Sequence, residues 1–290
     1  MTSMKVTFIG LGIMGSRMAA NLIKHQVELT VWNRSAASMN ALEKKGAIVA
    51  ASAQEAVKDA DLVFSMLSTP EVVEALFLGQ EGLLSMMKKN ALWVDCSTVN
   101  PSFSDLASKA ASRSGQVFVD APVAGTKPQA ENAELVFFIG AEKVVLARIR
   151  PYLDMMGKKV LHLSKTTKGA AFKMLVNILL AQSMLIFSEA VLLGEKLGLS
   201  KEFLLDTLPN LVVTAPFTKF KAEMIRTSDY EVQFPLEWMH KDLHLAAITA
   251  YEQEQPLYLA NLAKELFAEA KMAGMGRLDF ASIHQYLARR

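Results

Sequence analysis

Short apolar segments alternate with helix-like segments through the first 163 residues, and this alternation limits the fold more than any other feature. The apolar segments have the length of buried strands, from KVTFIG at 5–10 to KKVLHL at 158–163. Strands that alternate with helices favour a parallel sheet with crossover helices. Because the segments are apolar nearly throughout, both faces of the sheet should be covered. We therefore predict a doubly wound α/β domain over residues 1–163.

The pattern changes to helices alone after residue 164. Residues 168–197 predict one long helix that is apolar nearly all round, and the segments after it carry helical periodicity without a strand signal. The longest charge-free run, 174–188, is shorter than the roughly 20 apolar residues that span a bilayer. We predict an all-helical domain over 164–290, joined by a long buried interdomain helix and assembled as a homodimer or homotetramer, with no membrane contact.

Charge and cysteine content narrow the class of protein. The formal net charge is only +2 and no block of five or more like charges occurs, so we expect no nucleic-acid partner. The single cysteine excludes an internal disulfide and favours a reducing compartment. Since the first residues pass directly into a strand pattern without a signal-peptide profile, we predict a cytoplasmic location.

The segment IGLGIMG follows the first predicted strand and opens the first predicted helix. Gly10, Gly12 and Gly15 form G-x-G-x-x-G, in which glycine permits a tight turn, close approach of a pyrophosphate and close helix–strand packing. The helix N-terminus then favours the anion. The pattern predicts a Rossmann dinucleotide-binding domain whose cofactor-binding loop comprises Gly10, Leu11, Gly12, Ile13, Met14 and Gly15.

The second strand ends in VWNRS, where an acidic residue would bind the ribose 2′-hydroxyl of NAD. This chain has Asn33, Arg34 and Ser35 instead, which removes repulsion from a 2′-phosphate and supplies a guanidinium to pair with it. We predict that these residues bind NADP and that NADPH is preferred over NADH. The alternative is an arginine that stacks on adenine and accepts both cofactors.

Four blocks in order resemble the β-hydroxyacid dehydrogenase family, related to 3-hydroxyisobutyrate dehydrogenase. They are FIGLGIMGSRMAANL with WNRS, VDCSTVNP, DAPVAGTKPQAENAEL and GAAFKMLVN, and MHKDL is a shorter fifth match. The AGTKP loop resembles the glyoxylate and succinic semialdehyde reductase branch. It departs from other members at Ala124, where many have serine, and at Ala133, where the branch usually has glycine.

The resemblance implies a catalytic role for Lys173 and Asn177, which lie four residues apart and so share one helical face. Lys173 is implied as general acid in reduction and general base in oxidation, with Asn177 orienting it or the substrate oxygen. The resemblance also implies that Thr98 lies beside the nicotinamide ribose. We expect Leu67 and Ser68, which end the preceding strand, to lie under the cofactor.

A loop and a later helix complete the predicted site. Small residues at Ala124, Gly125 and Thr126 suit a substrate carboxylate, because such a turn exposes backbone N–H groups. The resemblance implies that Lys241 reaches the cofactor or substrate and that Asp242 lines the pocket. We expect Phe234 to form the apolar wall of the substrate pocket. His240 and His244 have metal-ligand spacing without further ligands, so we predict no metal.

Together with the cofactor motif, the resemblance implies an NADP-dependent oxidoreductase that acts on a small carboxylated aldehyde, such as glyoxylate or succinic semialdehyde, and its hydroxy acid. Two alternatives stay open within the family, namely oxidation of 3-hydroxyisobutyrate and reduction of tartronate semialdehyde. Phosphogluconate dehydrogenases resemble the chain distantly, and imine reductases usually lack the helix lysine. An alternative of another class is a non-catalytic NADPH-binding scaffold.

Overall fold

The computed structural model describes residues 4–79 and 81–289 and contains two compact units, one ending at Lys173 and the other beginning at Met174. The strands of the first unit are β1 (Val6–Ile9), β2 (Leu29–Trp32), β3 (Ile48–Val49), β4 (Leu62–Ser65), β5 (Leu92–Asp95), β6 (Val117–Asp120), β7 (Val123–Ala124), β8 (Leu135–Ile139) and β9 (Gly157–His162). Its helices are α1 (Gly15–Lys24), α2 (Ala36–Glu43), α3 (Ala53–Lys58), α4 (Pro70–Phe77), α5 (Leu83–Met86), α6 (Pro101–Ser114), α7 (Lys127–Glu131), α8 (Lys143–Asp154) and the start of α9 (Lys168–Lys196).

The first unit is built on a six-stranded parallel sheet in the order β3-β2-β1-β4-β5-β6. This order reverses direction beside β1, as in a doubly wound fold, and confirms the predicted fold class. The last strands form a second sheet, β7-β8-β9, with β7 antiparallel to β8, and the sequence pattern did not distinguish this sheet from the first. The short strands β3 and β7 have two residues each, too few to show a periodicity.

Alternate residues of the central strands enter two separate hydrophobic cores. Leu92 and Val94 of β5 belong to one core, whereas Trp93 belongs to the other. Successive side chains of a strand point to opposite faces, so a strand that is apolar throughout requires cover on both sides. Trp93 is fully buried and stacks on Phe77 of α4 with ring centroids 4.2 Å apart. The two-sided burial predicted from the sequence is confirmed.

The described residues of the second unit form helices joined by loops, with no named strand among them. Its helices are the remainder of α9, α10 (Lys201–Thr207), α11 (Thr218–Thr227), α12 (Leu236–Glu252), α13 (Tyr258–Ala270) and α14 (Ile283–Ala288), with short 3₁₀ turns at Leu208–Asn210 and Phe280–Ser282 and a π-helical turn at Lys271–Met275. The long helix predicted at 168–197 is observed over Lys168–Lys196. The boundary between the units falls inside α9, later than residue 163, because the first turn of this helix packs on the first unit.

By length and composition alone, α9 qualifies as a membrane-crossing helix, with a mean hydropathy of 1.8 over its most apolar 18 residues. Several of its apolar side chains are nevertheless core members of the second unit, with Ala181, Met184 and Val191 fully buried. A buried core helix passes the same length test. We therefore interpret α9 as a helix with one face in the core of the second unit, which is less burial than the sequence predicted, since only 39% of its most apolar window is buried.

Candidate active site

The loop between β1 and α1 has the geometry that a bound pyrophosphate requires. Gly10 has a φ of +91°, and a Cβ there would lie 2.5 Å from the carbonyl oxygen of Met66. A Cβ at Gly15 would lie 2.0 Å from the oxygen of Gly10, whereas one at the exposed Gly12 would meet no described atom within 4 Å. Gly10 and Gly15 thus close the turn, and Gly12 leaves open space for an anion. The described residues place neither a side-chain cap nor an acid in the first turn of α1, so this loop fits a dinucleotide.

Asn33 connects the end of β2 to this loop. Its side-chain oxygen accepts a hydrogen bond from the backbone N–H of Leu11 at 3.0 Å. Its side-chain amide donates to the hydroxyl of Ser35 at 2.9 Å, while Arg34 and Ser35 are exposed. Asn33 therefore holds the glycine loop against β2, a role that the motif alone did not reveal. Arg34 is left on the surface beside it, where the sequence predicts contact with a 2′-phosphate.

Leu67, Ser68 and Thr98 lie at the same edge of the sheet as the glycine loop. Leu67 and Ser68 follow β4, Thr98 follows β5, and these strands run parallel to β1. A Cβ at Gly10 would come within 2.8 Å of the Leu67 side chain, so the loop and the end of β4 are in close contact. The carboxyl edge of an open parallel sheet is where such folds bind ligands. The structure thus brings these predicted cofactor residues to one edge.

A buried carboxylate, which the sequence analysis did not single out, ties the ends of β4 and β5 together. Asp95 is 1% exposed and accepts hydrogen bonds from the hydroxyls of Ser65 at 2.7 Å and Ser97 at 2.6 Å. Ser97 Oγ accepts in turn from the N–H of Leu67 at 2.9 Å, and Trp93 Nε1 donates to Ser65 Oγ at 2.8 Å. This network fixes the backbone that precedes Thr98. An acidic residue at the end of a buried strand is the sequence signal that would have found it.

The predicted carboxylate-binding loop contains an internal hydrogen-bond arrangement. Gly125 has a φ of +120°, and a Cβ there would lie 2.9 Å from both Gln129 and Leu135. The backbone N–H and the hydroxyl of Thr126 both donate to Gln129 Oε1, at 2.8 and 3.0 Å. Both donors of Thr126 are therefore engaged within the loop. Binding of a carboxylate at Ala124, Gly125 and Thr126 stays a prediction.

Lys173 is carried by the first turns of α9 and is buried, with an exposed fraction of 8%. Asp120, at the end of β6, accepts hydrogen bonds from the backbone N–H groups of Thr167 and Ala170 at the start of that helix. Burial raises the pKa of Asp120 to about 6, although the backbone N–H groups act in the opposite direction. Asp120 lies in the DAPV block, but sequence analysis did not assign it a role.

In the second unit, Asp242 joins two predicted site residues. Its carboxylate accepts from the side-chain amide of Asn177 at 2.5 Å and pairs with the ammonium of Lys241 at 2.8 Å. Asn177 and Asp242 are 1% and 2% exposed. Because the amide nitrogen faces the carboxylate, the side-chain oxygen of Asn177 points elsewhere, and it is buried without a hydrogen-bond partner among the described residues. A buried acceptor of this kind suits a donor on a bound molecule.

Phe234 lies in the loop before α12 and is half-buried. Its ring packs edge-on against Phe280 with centroids 5.7 Å apart, and its backbone N–H donates to Asp279 Oδ2 at 3.0 Å. Asp279 also pairs with Lys221 at 2.8 Å, and both charged groups are buried. This ion pair supports the Phe234 loop. It was missed from the sequence because the two residues lie far apart along the chain.

No group of three or more His, Cys, Asp or Glu side chains that could hold a metal occurs within 4–79 and 81–289. His240 and His244 are therefore not joined by a described third ligand. Burial lowers the pKa of His240, with nearby cations acting in the same direction. The neutral imidazole is favoured, which fits a packing role for this residue.

Two family models cover most of the chain. Residues 5–164 match the NAD binding domain of 6-phosphogluconate dehydrogenase, and residues 167–287 match the NAD-binding domain of NADP-dependent 3-hydroxyisobutyrate dehydrogenase. These matches agree with the two units and with a nicotinamide dinucleotide at the glycine loop.

Similar proteins of known name extend over the whole chain. Glyoxylate/succinic semialdehyde reductase 2 of Arabidopsis thaliana, a chloroplastic protein, is 35% identical over 98% of this chain and 80% of its own length. Glyoxylate/succinic semialdehyde reductase 1 of the same plant is 34% identical over 97% of both chains. The structure of Mycobacterium tuberculosis 3-hydroxyisobutyrate dehydrogenase with L-serine superimposes with a TM-score of 0.89, at 29% identity and 99% coverage of both chains.

Proposed function

Since this chain belongs to the β-hydroxyacid dehydrogenase family of NAD(P)-dependent enzymes, we propose that it reduces a small carboxylated aldehyde, such as glyoxylate or succinic semialdehyde, with NADPH. The observation that carries the proposal is Lys173, a lysine buried to 8% exposure in an otherwise apolar stretch of α9. Lysine is rarely buried to this extent, because burial of its charge costs free energy unless another group stabilises it. The two plant reductases at 34–35% identity support the aldehyde class.

In this proposal the chain's own groups handle the proton and the developing charge. Bound NADPH supplies the hydride that reduces the aldehyde carbon. The Lys173 ammonium donates a proton to the aldehyde oxygen, and in the reverse reaction the neutral amine accepts it. The same ammonium stabilises negative charge on that oxygen in the transition state. Asn177, with its amide held by Asp242, offers its buried side-chain oxygen as an acceptor to the hydroxyl group of the hydroxy acid, because the aldehyde itself has no hydrogen-bond donor.

The preference for NADPH rests on the residues that follow β2. Arg34 is exposed and Asn33 is turned toward the glycine loop, so no carboxylate from 33–35 opposes a 2′-phosphate. A guanidinium forms strong, charge-assisted hydrogen bonds with a phosphate. Arg34 and Ser35 would hold the 2′-phosphate, and the loop from Gly10 to Gly15 would hold the pyrophosphate.

We also propose that two or four copies of this chain associate. The exposed apolar residues of α9 lie on one helical stripe, since their spacing of four and then seven residues repeats the same direction. They are Leu175, Leu179, Ile186 and Leu193, each more than half exposed.

The cytoplasm stays the proposed location. Cys96 is fully buried and burial raises the pKa of its thiol well above the usual range, which suits a reduced, unreactive cysteine.

The activity test follows loss of nicotinamide fluorescence with NADPH and, separately, NADH. The substrates are glyoxylate, succinic semialdehyde, tartronate semialdehyde and an imine, with 3-hydroxyisobutyrate assayed in the oxidative direction. Lys173→Ala should reduce the rate by roughly 10²–10⁴ because proton donation is lost. Lys196→Ala, an exposed lysine at the other end of α9, is the matched control and should keep the wild-type rate.

Each outcome separates the alternatives. Rapid NADPH-linked reduction of glyoxylate or succinic semialdehyde that disappears in Lys173→Ala supports the proposal. Faster turnover of 3-hydroxyisobutyrate or tartronate semialdehyde would place the chain in another branch of the family. Tight NADPH binding without turnover of any substrate would favour the non-catalytic scaffold, and equal rates in Lys173→Ala would remove the lysine from the mechanism.

A further inference from the structure

The start of α9 is held by a buried carboxylate from the sheet of the same unit. Asp120 ends β6 and is 1% exposed. Its Oδ1 accepts from the N–H of Thr167 at 2.9 Å, and its Oδ2 accepts from the N–H of Ala170 at 2.8 Å. The first N–H groups of a helix have no partner within the helix, so a side-chain acceptor stabilises the first turn. Here that acceptor comes from a strand 47 residues or more away in sequence.

The surrounding backbone encloses this carboxylate. A Cβ at Gly140 would lie 2.2 Å from Asp120 Oδ1, and a Cβ at Gly169 would lie 2.9 Å from Oδ2 and 2.4 Å from the oxygen of Phe138. Thr167 adopts a φ of +78°, which directs its N–H to the carboxylate. Residues without side chains are therefore needed on both sides of Asp120. We call this enclosed carboxylate, with its two backbone N–H donors, the seat of α9.

The distance from this seat to Lys173 is short. Ala170 and Lys173 are three residues apart in α9, which is about 4.5 Å along the helix axis at 1.5 Å per residue. Phe172 adds an edge-to-face contact with Phe138, at 4.9 Å between ring centroids. A shift of the first turn would therefore move Lys173 with it. A displacement of about 1 Å in a reacting group is enough to reduce a rate by roughly 10².

We propose that Asp120 is a positioning residue, whose carboxylate fixes the first turn of α9 and thereby places the Lys173 ammonium for proton transfer. This inference rests on the proposed function of Lys173. It requires both carboxylate oxygens as acceptors, because each receives a different backbone N–H. An asparagine retains one acceptor and turns its NH₂ group toward the second N–H, so Asp120→Asn removes half of the seat with almost no change in volume.

A double-mutant cycle tests whether Asp120 acts through the lysine. We expect Asp120→Asn to reduce kcat by 10- to 100-fold, with the NADPH dissociation constant, measured by fluorescence titration, changing less than twofold. In the Lys173→Ala background, the same substitution should change kcat less than threefold, since no positioned ammonium is left to displace. The matched control is Gln116→Met, a buried polar side chain at the opposite end of β6 that donates to the oxygens of Met87 and Lys88. It should leave kcat within twofold.

A readout independent of turnover separates this inference from the proposed function. Hydrogen exchange of the backbone amides of 165–176 should accelerate at least tenfold in Asp120→Asn and stay unchanged in Gln116→Met. If the wild type reduces no carbonyl compound, the proposed function fails, while the exchange data still test the seat. Unchanged protection in Asp120→Asn overturns the inference, as does an equal loss of kcat in both backgrounds of the cycle. Asp120→Ser, with one short acceptor, replaces Asp120→Asn if that variant does not fold.

Discussion

The buried ion pair between Lys221 and Asp279 gives the sharpest stability prediction for the helical unit. Lys221 Nζ lies 2.8 Å from Asp279 Oδ1 and 4.7 Å from the centroid of the Phe280 ring. Lys221 is 3% exposed and Asp279 is 0% exposed. The substitution Lys221→Met keeps the length of the side chain but leaves the aspartate without its counterion. Burial lowers the pKa of Lys221, while Asp279 opposes this effect and favours the charged lysine.

The expected loss follows from what the aspartate retains. Breaking a buried ion pair by removing one partner costs about 3–5 kcal/mol. Asp279 still accepts backbone N–H groups from Gln233, Phe234 and Ala281 at 3.0–3.2 Å, which stabilise its charge and favour the lower end of that range. The lost cation–π contact adds about 0.5–1 kcal/mol. We therefore expect Lys221→Met to reduce the free energy of unfolding by roughly 3–4 kcal/mol.

Urea denaturation followed by circular dichroism measures this loss, and hydrogen exchange of α11 amides assigns it to the helical unit, because two units can unfold separately. Lys219→Met, an exposed lysine on the same helix, is the matched control and should change stability by less than about 0.5 kcal/mol. The double variant Lys221→Met/Asp279→Asn should lose less than the sum of the single losses, since the two groups are coupled. A loss below about 1 kcal/mol in Lys221→Met, or strict additivity in the double variant, would refute the reasoning.

Three further predictions address the dinucleotide loop, cofactor choice and pH. Gly15→Ala should destabilise the chain, because its Cβ would lie 2.0 Å from the oxygen of Gly10, whereas Gly12→Ala should keep the melting temperature and weaken NADPH binding. Thermal scans of both variants with and without NADPH measure these effects. Equal melting temperatures for the two variants without cofactor would contradict the assignment. Arg34→Ala should raise the KM for NADPH about 10- to 100-fold, because a hydrogen bond to a charged group is lost, and should leave the KM for NADH within twofold. An equal rise in KM for both cofactors would indicate that Arg34 stacks on adenine instead. Because burial raises the pKa of Asp120 to about 6, the folded chain favours the neutral form of this side chain, and the stability gained from that preference is complete below pH 3.8 and is lost as pH rises through 6. The unfolding free energy of the wild type relative to Asp120→Asn should fall by about 2 kcal/mol between pH 4 and 7, and a flat difference would contradict this.

Local patterns carried the prediction of the fold class. Continuous apolar runs predicted β1, β2, β4, β5 and β6, and these strands form the parallel sheet. The helix predicted at 168–197 agrees with the observed α9 to within one residue. Its run of 15 consecutive uncharged residues made this helix easy to predict. The separate β7-β8-β9 sheet was not predicted, since strand direction and partner depend on contacts between distant segments.

The candidate site divides in the same way. The glycine loop could be predicted because two of its glycines are required locally: Gly10 by its positive φ, and Gly15 by the oxygen of Gly10 five residues before it. The contacts of the residues that support the site could not be predicted. Asn33 bonds to Leu11, Asp242 bonds to Asn177, and the sequence assigned both acceptors to ligands instead. A side chain that serves a protein partner is indistinguishable in sequence from one that serves a ligand.

Local sequence patterns were sufficient to predict the two-part architecture, the dinucleotide loop and a lysine and an asparagine one helical turn apart in an apolar helix. These features follow from periodicity and from residue types with few allowed conformations. Three contacts became visible only in the folded chain: Asp120 with the first turn of α9, Asp242 with Asn177, and Asp279 with Lys221. Each of these contacts joins residues more than 45 positions apart, and such pairs form only when burial of the surrounding apolar surface has brought their strands and helices together.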